Sequence, residues 1–249
     1  MKVTFLGSSH GVPSAERYCS CIMIESGDAI YFLDAGAPIM DEILRLDKDI
    51  NKVRAVFITH CHSDHTLGML GMISLTNWYY KNAEMDVYIP EQPMIDAIKE
   101  LFRCNHNYPV KEDRLRFKKY ESGFVYDDEN ITLSVIPTRH LESYNAPSYA
   151  FLVTCKQTGK TLLLTGDLSQ RLALGDFPSI VSEQPIDAVI CEMAHFGMDG
   201  IKPYLDKCLA RAVYFNHVFP FSKFDDIEEA NGSYPFPLYI VKDRDEIHL

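Results

Sequence analysis

Long apolar runs are missing from this chain. No stretch approaches the roughly 18 consecutive apolar residues that a membrane-spanning helix needs, so no membrane span is expected. The opening residues, MKVTFLGSSHGVP, read as a strand and a turn. They lack the apolar h-region and small-residue cleavage site of a secretory leader, which points to a cytoplasmic protein. A disulfide pattern is missing too. The seven cysteines are odd in number and scattered, with only Cys19 and Cys21 close together, as in a reduced compartment. Positive charge is short: 24 Lys and Arg stand against 35 Asp and Glu, a formal net charge of -11. A protein that grips nucleic acid along its phosphates needs a broad basic face, so extended nucleic-acid binding is not expected. The most basic segment, VKEDRLRFKKY at 110–120, leaves room only for a local patch. Linkers, internal repeats and low-complexity blocks are absent as well.

What is present is ordinary globular material. Of 249 residues, 47% are hydrophobic, enough for a sizeable core, and the whole chain 1–249 reads as one domain. Strand-like runs alternate with turns and helical stretches. KVTFLG, SCIMIES and AIYFLDAG open as strands, the last two separated by the Gly27-Asp28 turn. APIMDEILRL has helical spacing, VRAVFITH is a buried strand, and 65–80 continues as a helix containing two glycines. MDVYIP is a strand, and QPMIDAIKELF a helix with proline near its start. ITLSVIPTRH, SYAFLVTC, KTLLLTGD, IDAVICEMAH and AVYFNH are further strands, IKPYLDKCLAR is helical, and PLYIV closes the series. The pattern is α+β, arranged in two sheet-rich halves.

Chemistry gathers where the strands end. FITHCHSDHTLGML places His60, His62, Asp64 and His65 inside six positions, directly after an apolar strand. Such side chains are poor core residues, and crowding them raises their desolvation cost unless a cation holds them together. Two histidines spaced by two can chelate one ion from a tight loop, with Asp64 and His65 free to serve a second. Four more apolar strands each deliver a polar residue at the C-terminal end: His140, Asp167, His195 and His217. Taken singly, Gly166-Asp167 is common turn chemistry, and each histidine could be a cap or a surface residue. Their shared placement after apolar strands favours one converging site. Cys61, between two of the histidines, reads as structural, and His10, His106 and His248 receive no role. Imidazole and carboxylate donors suit zinc, and also manganese or iron.

The segment THCHSDH resembles the His-x-His-x-Asp-His signature of the metallo-β-lactamase superfamily, and His140, Asp167 and His217 follow in that family's order. The N-terminal FLGSSHGVPSAERYCSCIMIE, with Gly7, Gly11, Pro13 and Arg17, is similar to the opening of ribonuclease Z, and CEMAHF with Glu192 resembles its Glu-Ala-Thr segment. PhnP-type cyclic phosphodiesterases share much of this pattern. The resemblance implies a four-layer αββα sandwich with two divalent metal ions, Zn²⁺ first and Mn²⁺ or Fe²⁺ next. It implies that His60, His62 and His140 hold one ion, that Asp64, His65 and His217 hold the other, and that Asp167 bridges them. Two such ions about 3.5–4 Å apart can share a hydroxide and stabilise an in-line displacement. Asp64 would orient the nucleophile, and His195 would protonate the leaving oxygen.

Departures from ribonuclease Z shift the expected substrate. The long tRNA-gripping arm of that family falls between His140 and Asp167, which here are only 27 positions apart. The His-Ser-Thr motif is missing, and the last histidine is followed by VFPFSKF rather than a Phe-Ser-x-Arg-Tyr pattern. The expected function is therefore a dinuclear metal-dependent phosphodiesterase acting on a small or nucleotide phosphodiester, as a monomer or a homodimer. The alternatives are a tRNA 3′-processing endoribonuclease, a lactone or thioester hydrolase of the same fold, and a non-catalytic scaffold. The scaffold reading is disfavoured because none of the seven implied metal-holding positions is lost.

Overall fold

A computed structural model describes residues 1–12, 14–172 and 175–249. Pro13, part of the ribonuclease Z-like opening, lies outside the described residues. The described residues form two seven-stranded sheets. The first runs, in spatial order, β14 (Glu246–His248), β1 (Lys2–Gly7), β2 (Cys21–Ser26), β3 (Ala29–Leu33), β4 (Val53–Phe57), β5 (Met85–Ile89) and β6 (Leu115–Lys119). The second runs β13 (Leu238–Ile240), β12 (Val213–Val218), β11 (Ala188–Met193), β10 (Thr161–Leu164), β9 (Ser148–Cys155), β8 (Ile131–Thr138) and β7 (Val125–Asp127). Helices α1 (Ile39–Arg45), α2 (Ser63–Thr66), α3 (Met69–Trp78) and α4 (Gln92–Cys104) belong to the first half, and α5 (Ile180–Glu183), α6 (Met198–Leu205) and α7 (Lys223–Ala230) to the second.

Alternation along the strands creates the layers. In β2, Ile22 and Ile24 face the opposite sheet, while Cys21 and Met23 face helices α1, α3 and α4. In β11, Ala188 and Ile190 face inward, while Val189 and Cys191 pack with α5, α6 and α7. Both faces of each central strand are thus buried, which is why these strands read as continuous apolar runs. The result is the four-layer αββα sandwich expected of the sequence. Phe57 and Phe151, buried between the sheets, contribute about 1.5–3 kcal/mol each by leaving water.

The parallel strands decide where function sits. β3 through β6 are parallel, as are β10 through β13. Their C-terminal ends open onto one edge of the sandwich, where loops can build a site.

Three local readings differ from the structure. The helix expected over 65–80 is broken into α2 and α3, with Gly68 at the junction. The Gly68 N–H donates to the Ala35 carbonyl at 2.7 Å, and a Cβ there would run into the Ala37 carbonyl, so the chain cannot pass as one helix with a side chain at this point. The most basic segment, 110–120, is not among the expected strands, and its residues Leu115–Lys119 form edge strand β6. Its Arg116 and Lys118 both pair with Asp86 on β5, at 2.5 and 2.7 Å, and Lys119 pairs with Glu121. Helix α6 begins at Met198 and ends at Leu205, earlier at both ends than the expected 201–211. Among the described residues, no helix is long and apolar enough to cross a membrane. The seven cysteines are free.

Candidate metal centre

The first parts of the site are set by backbone. β3 ends at Leu33, and Asp34 follows with φ +57°, a conformation that costs a non-glycine residue energy and recurs at functional positions. Its carboxylate accepts from the Thr59 N–H at 2.7 Å and from the Thr59 hydroxyl at 2.9 Å. Its other oxygen lies 2.7 Å from His65 Nδ1. A carboxylate at Nδ1 fixes the ring so that Nε2 points the other way. That Nε2 is buried with no hydrogen-bond partner, which is costly unless something else binds it. Thr59 also meets His60 Nδ1 at 3.1 Å, so His60 too presents its Nε2.

The remaining histidines converge on these two. His62 Nδ1 lies 3.0 Å from His60 Nε2 and 3.2 Å from His140 Nε2. On the other side, Asp64 Oδ2 lies 3.2 Å from His217 Nε2 and 3.5 Å from His65 Nε2. His217 has φ +54°, the second strained non-glycine residue in the cluster. Asp167 stands between the two groups. Its Oδ2 is 3.8 Å from His60 Nε2 and 3.7 Å from His140 Nε2, while its Oδ1 is 3.4 Å from His65 Nε2 and 3.7 Å from His217 Nε2. Gly166 makes that placement feasible: it has φ +57°, and a Cβ there would sit 2.6 Å from the Tyr149 carbonyl oxygen.

The donor atoms fall into two adjacent sets. His60, His62, His140 and Asp167 form one, and Asp64, His65 and His217 form another, with ligand-type atoms within 4.8 Å of one another in each. All seven residues expected at the site are therefore brought together. Four imidazole and carboxylate donors in one set, and three in the other including the orphaned buried His65 Nε2, fit divalent cations, and the cluster suits a dinuclear centre.

His195 lies beside the first set, its ring centroid 4.6 Å from that of His140. Its Nδ1 is 2.8 Å from Glu192 Oε1, and Glu192 also accepts from the N–H groups of Leu168, Ala194 and His195. A cleft of about 470 Å³ opens next to it, lined by His62, His140, His195, Tyr144, Ser169 and Arg171. The sequence reading missed Asp34, although AIYFLDAG carries the same strand-end signal that found the others. It also missed His10, which stacks on Phe219 at 3.8 Å and reaches the rim of the second set near His217. Cys61 packs against the apolar core, burial pushes its thiol up, and it joins neither donor set, in keeping with a structural role.

Charge divides the two sets. Burial pulls His60 and His140 below the ordinary histidine value, helped by the neighbouring imidazoles. Burial also opposes protonation of His65 and His217, but there Asp167 outweighs it, together with Asp34 for His65 and Asp64 for His217, and both rings are raised. Burial disfavours the Asp64 and Asp167 charges, yet the surrounding histidines hold both carboxyls below their ordinary value. A metal needs neutral imidazole, so protons compete for His65 and His217 at higher pH than for His60 and His140. If each set holds a cation, acidification should therefore release the one at Asp64, His65 and His217 first. Stepwise dialysis from pH 7.5 downward, with metal content read at each step, checks this. Loss of both ions together, or retention of that set to the lowest pH, would contradict it.

The sandwich is the metallo-β-lactamase fold, with a cluster of histidines and aspartates at one sheet edge. A family profile described as "Anti-Pycsar protein Apyc1" matches residues 1–197, and the chain belongs to that family. Ribonuclease Z from Cyanothece sp. (strain PCC 7425 / ATCC 29141) is 29% identical over 144 residues, 56% of this chain and 43% of that protein. The chain spans about half the length of the curated relatives it matches. Among solved structures, the metallo-beta-lactamase fold protein YhfI from Bacillus subtilis is similar with a TM-score of 0.76 at 18% identity, covering 99% of each chain. Human tRNase Z, short form, gives 0.75 at 18% identity, covering 100% of this chain and 99% of that one. A diphosphatase from the PhnP family gives 0.71 at 18%, covering 100% and 97%. At these identities the structural likeness speaks for the fold.

Proposed function

We propose that the chain is a dinuclear metal-dependent phosphodiesterase whose substrate is a small or nucleotide phosphodiester. One observation carries this: the two carboxylate oxygens of Asp167 divide between two convergent donor sets. In this reading His60, His62 and His140 would hold one ion and Asp64, His65 and His217 the other, with Asp167 offering an oxygen to each set. The imidazole-rich set favours Zn²⁺, with Mn²⁺ and Fe²⁺ next. Two such cations supply Lewis acidity toward phosphoryl oxygens and acidify water. Asp64 orients the attacking water. His195, its Nδ1 held by Glu192, presents Nε2 to the cleft and gives a proton to the departing oxygen. Burial lowers its affinity for that proton, but the Glu192 hydrogen bond and the Glu192 and Asp167 charges outweigh this and push it up to about 9.

Size and charge support a small substrate. The cleft of about 470 Å³ is of the scale that encloses a nucleotide-sized ligand. Between His140 and Asp167 the described residues run through β9 and β10, with no protruding arm. The cationic side chains of β6 are already paired. The second reading, tRNA 3′ processing, is supported by the relatives named ribonuclease Z. A panel of bis(p-nitrophenyl) phosphate, a cyclic nucleotide, a precursor tRNA and a lactone separates these. A large polyanion needs remote cationic contacts to bind, so kcat/KM should be at least about tenfold higher for the small diesters than for precursor tRNA. Efficient 3′ cleavage of precursor tRNA would favour the second reading, and preferred lactone hydrolysis would set both aside.

A further inference from the structure

Helix α7 begins at Lys223, in the VFPFSKF segment that departs from ribonuclease Z and to which the mechanism above gives no task. The Lys223 ammonium donates to three backbone carbonyls of one short loop: Met193 at 2.8 Å, Ala194 at 3.1 Å and Phe196 at 2.6 Å. An ammonium has three N–H donors, so its capacity is filled by that loop. The same loop carries His195. On its other side the N–H groups of Ala194 and His195, and His195 Nδ1, converge on the Glu192 carboxylate. The loop is therefore clamped between a buried anion that takes its N–H groups and a cation that takes its carbonyls. Three carbonyls aimed at one point suit a compact ammonium better than the planar fork of an arginine. Lys223 also stands six residues after His217, so it ties the end of β12 to the end of β11 across the site.

We propose that Lys223 is a positioning residue, holding the 193–196 loop so that the His195 ring stays aimed at the leaving oxygen. The inference rests on the reading of His195 as proton donor. Glu192 fixes the ring to the loop, and Lys223 fixes the loop to the body of the second sheet. A displacement of about 1 Å at a catalytic group can cost about 10²-fold in rate, so a clamp on the loop has kinetic weight.

The test compares the metal-loaded parent with Lys223→Met, His195→Ala and the double variant. Lys223→Met should keep both cations and leave KM within about twofold. Its kcat should fall about 10–10²-fold on a 3′,5′-cyclic nucleotide, whose alkoxide needs a proton to depart. On bis(p-nitrophenyl) phosphate, whose leaving group does not, the change should stay within about threefold. In the His195→Ala background, Lys223→Met should cost nothing further, because the two residues act through one group. Exchange of the His195 Nδ1 proton with water, read by NMR on the metal-loaded protein, should be at least about tenfold faster in Lys223→Met. If the Met variant does not fold, Lys223→Gln, which keeps an amide donor for part of the loop, should show a smaller loss with the same leaving-group dependence. Equal losses on both diesters, a persisting loss in the His195→Ala background, loss of a cation, or unchanged proton exchange would overturn the proposal. Should the parent hydrolyse no diester, the phosphodiesterase reading fails, and the proton-exchange measurement still decides whether Lys223 positions His195.

Discussion

Asp167→Ala is expected to remove metal binding and turnover in one step. Its two oxygens divide between the donor sets, lying 3.4 to 3.8 Å from four different histidines. Without it, two cations would share a buried site with Asp64 as the one carboxylate left in the donor sets, and their mutual repulsion would be poorly screened. Metal content should fall from two ions per chain toward none. Turnover should fall toward the uncatalysed rate, a loss on the order of 10⁶-fold or more. Asp167→Asn separates charge from shape, since the amide keeps the volume and one acceptor oxygen; it should retain at most one ion. An Asp167→Ala protein that kept two ions and measurable kcat would show that the bridge lies elsewhere.

His195→Ala is expected to behave in the opposite way: metal retained, chemistry slowed. His195 stands outside both donor sets, with Nδ1 engaged by Glu192. Loss of a general acid should lower kcat by about 10²–10⁴-fold for an alkoxide leaving group. The loss should shrink for p-nitrophenolate, which departs without protonation. Parallel assays of a cyclic nucleotide and bis(p-nitrophenyl) phosphate, with metal content measured on the same samples, give the answer. Equal losses on the two substrates would remove His195 from proton transfer, and a missing ion would make it a metal-holding residue.

These contrasts depend on how much of the site the sequence could show. The strand-end rule located all seven clustered residues because each follows an apolar strand whose direction fixes the edge it reaches. The same rule applied to AIYFLDAG would have found Asp34, but an aspartate before Ala-Gly reads first as turn chemistry. Lys223 was not legible at all. Its partners Met193, Ala194 and Phe196 are 27 to 30 positions away, and backbone carbonyls have no residue signature. The fold shows the same limit. Central strands buried on both faces announced themselves, whereas β7 and β14 are three residues long, too short for a period-2 pattern. In β6, Arg and Lys at three of five positions masked the buried Leu115. Helix α7, KFDDIEEA, buries only Ile227, so its helical period carried little apolar signal.

Elemental analysis of the protein purified without chelator, then reconstituted with Zn²⁺ or Mn²⁺, tests the dinuclear centre most directly. The expected result is two transition-metal ions per chain, falling to one or none in His62→Ala, with diester hydrolysis following metal content. A folded protein that binds no ion, and gains no activity from either metal, would contradict the account.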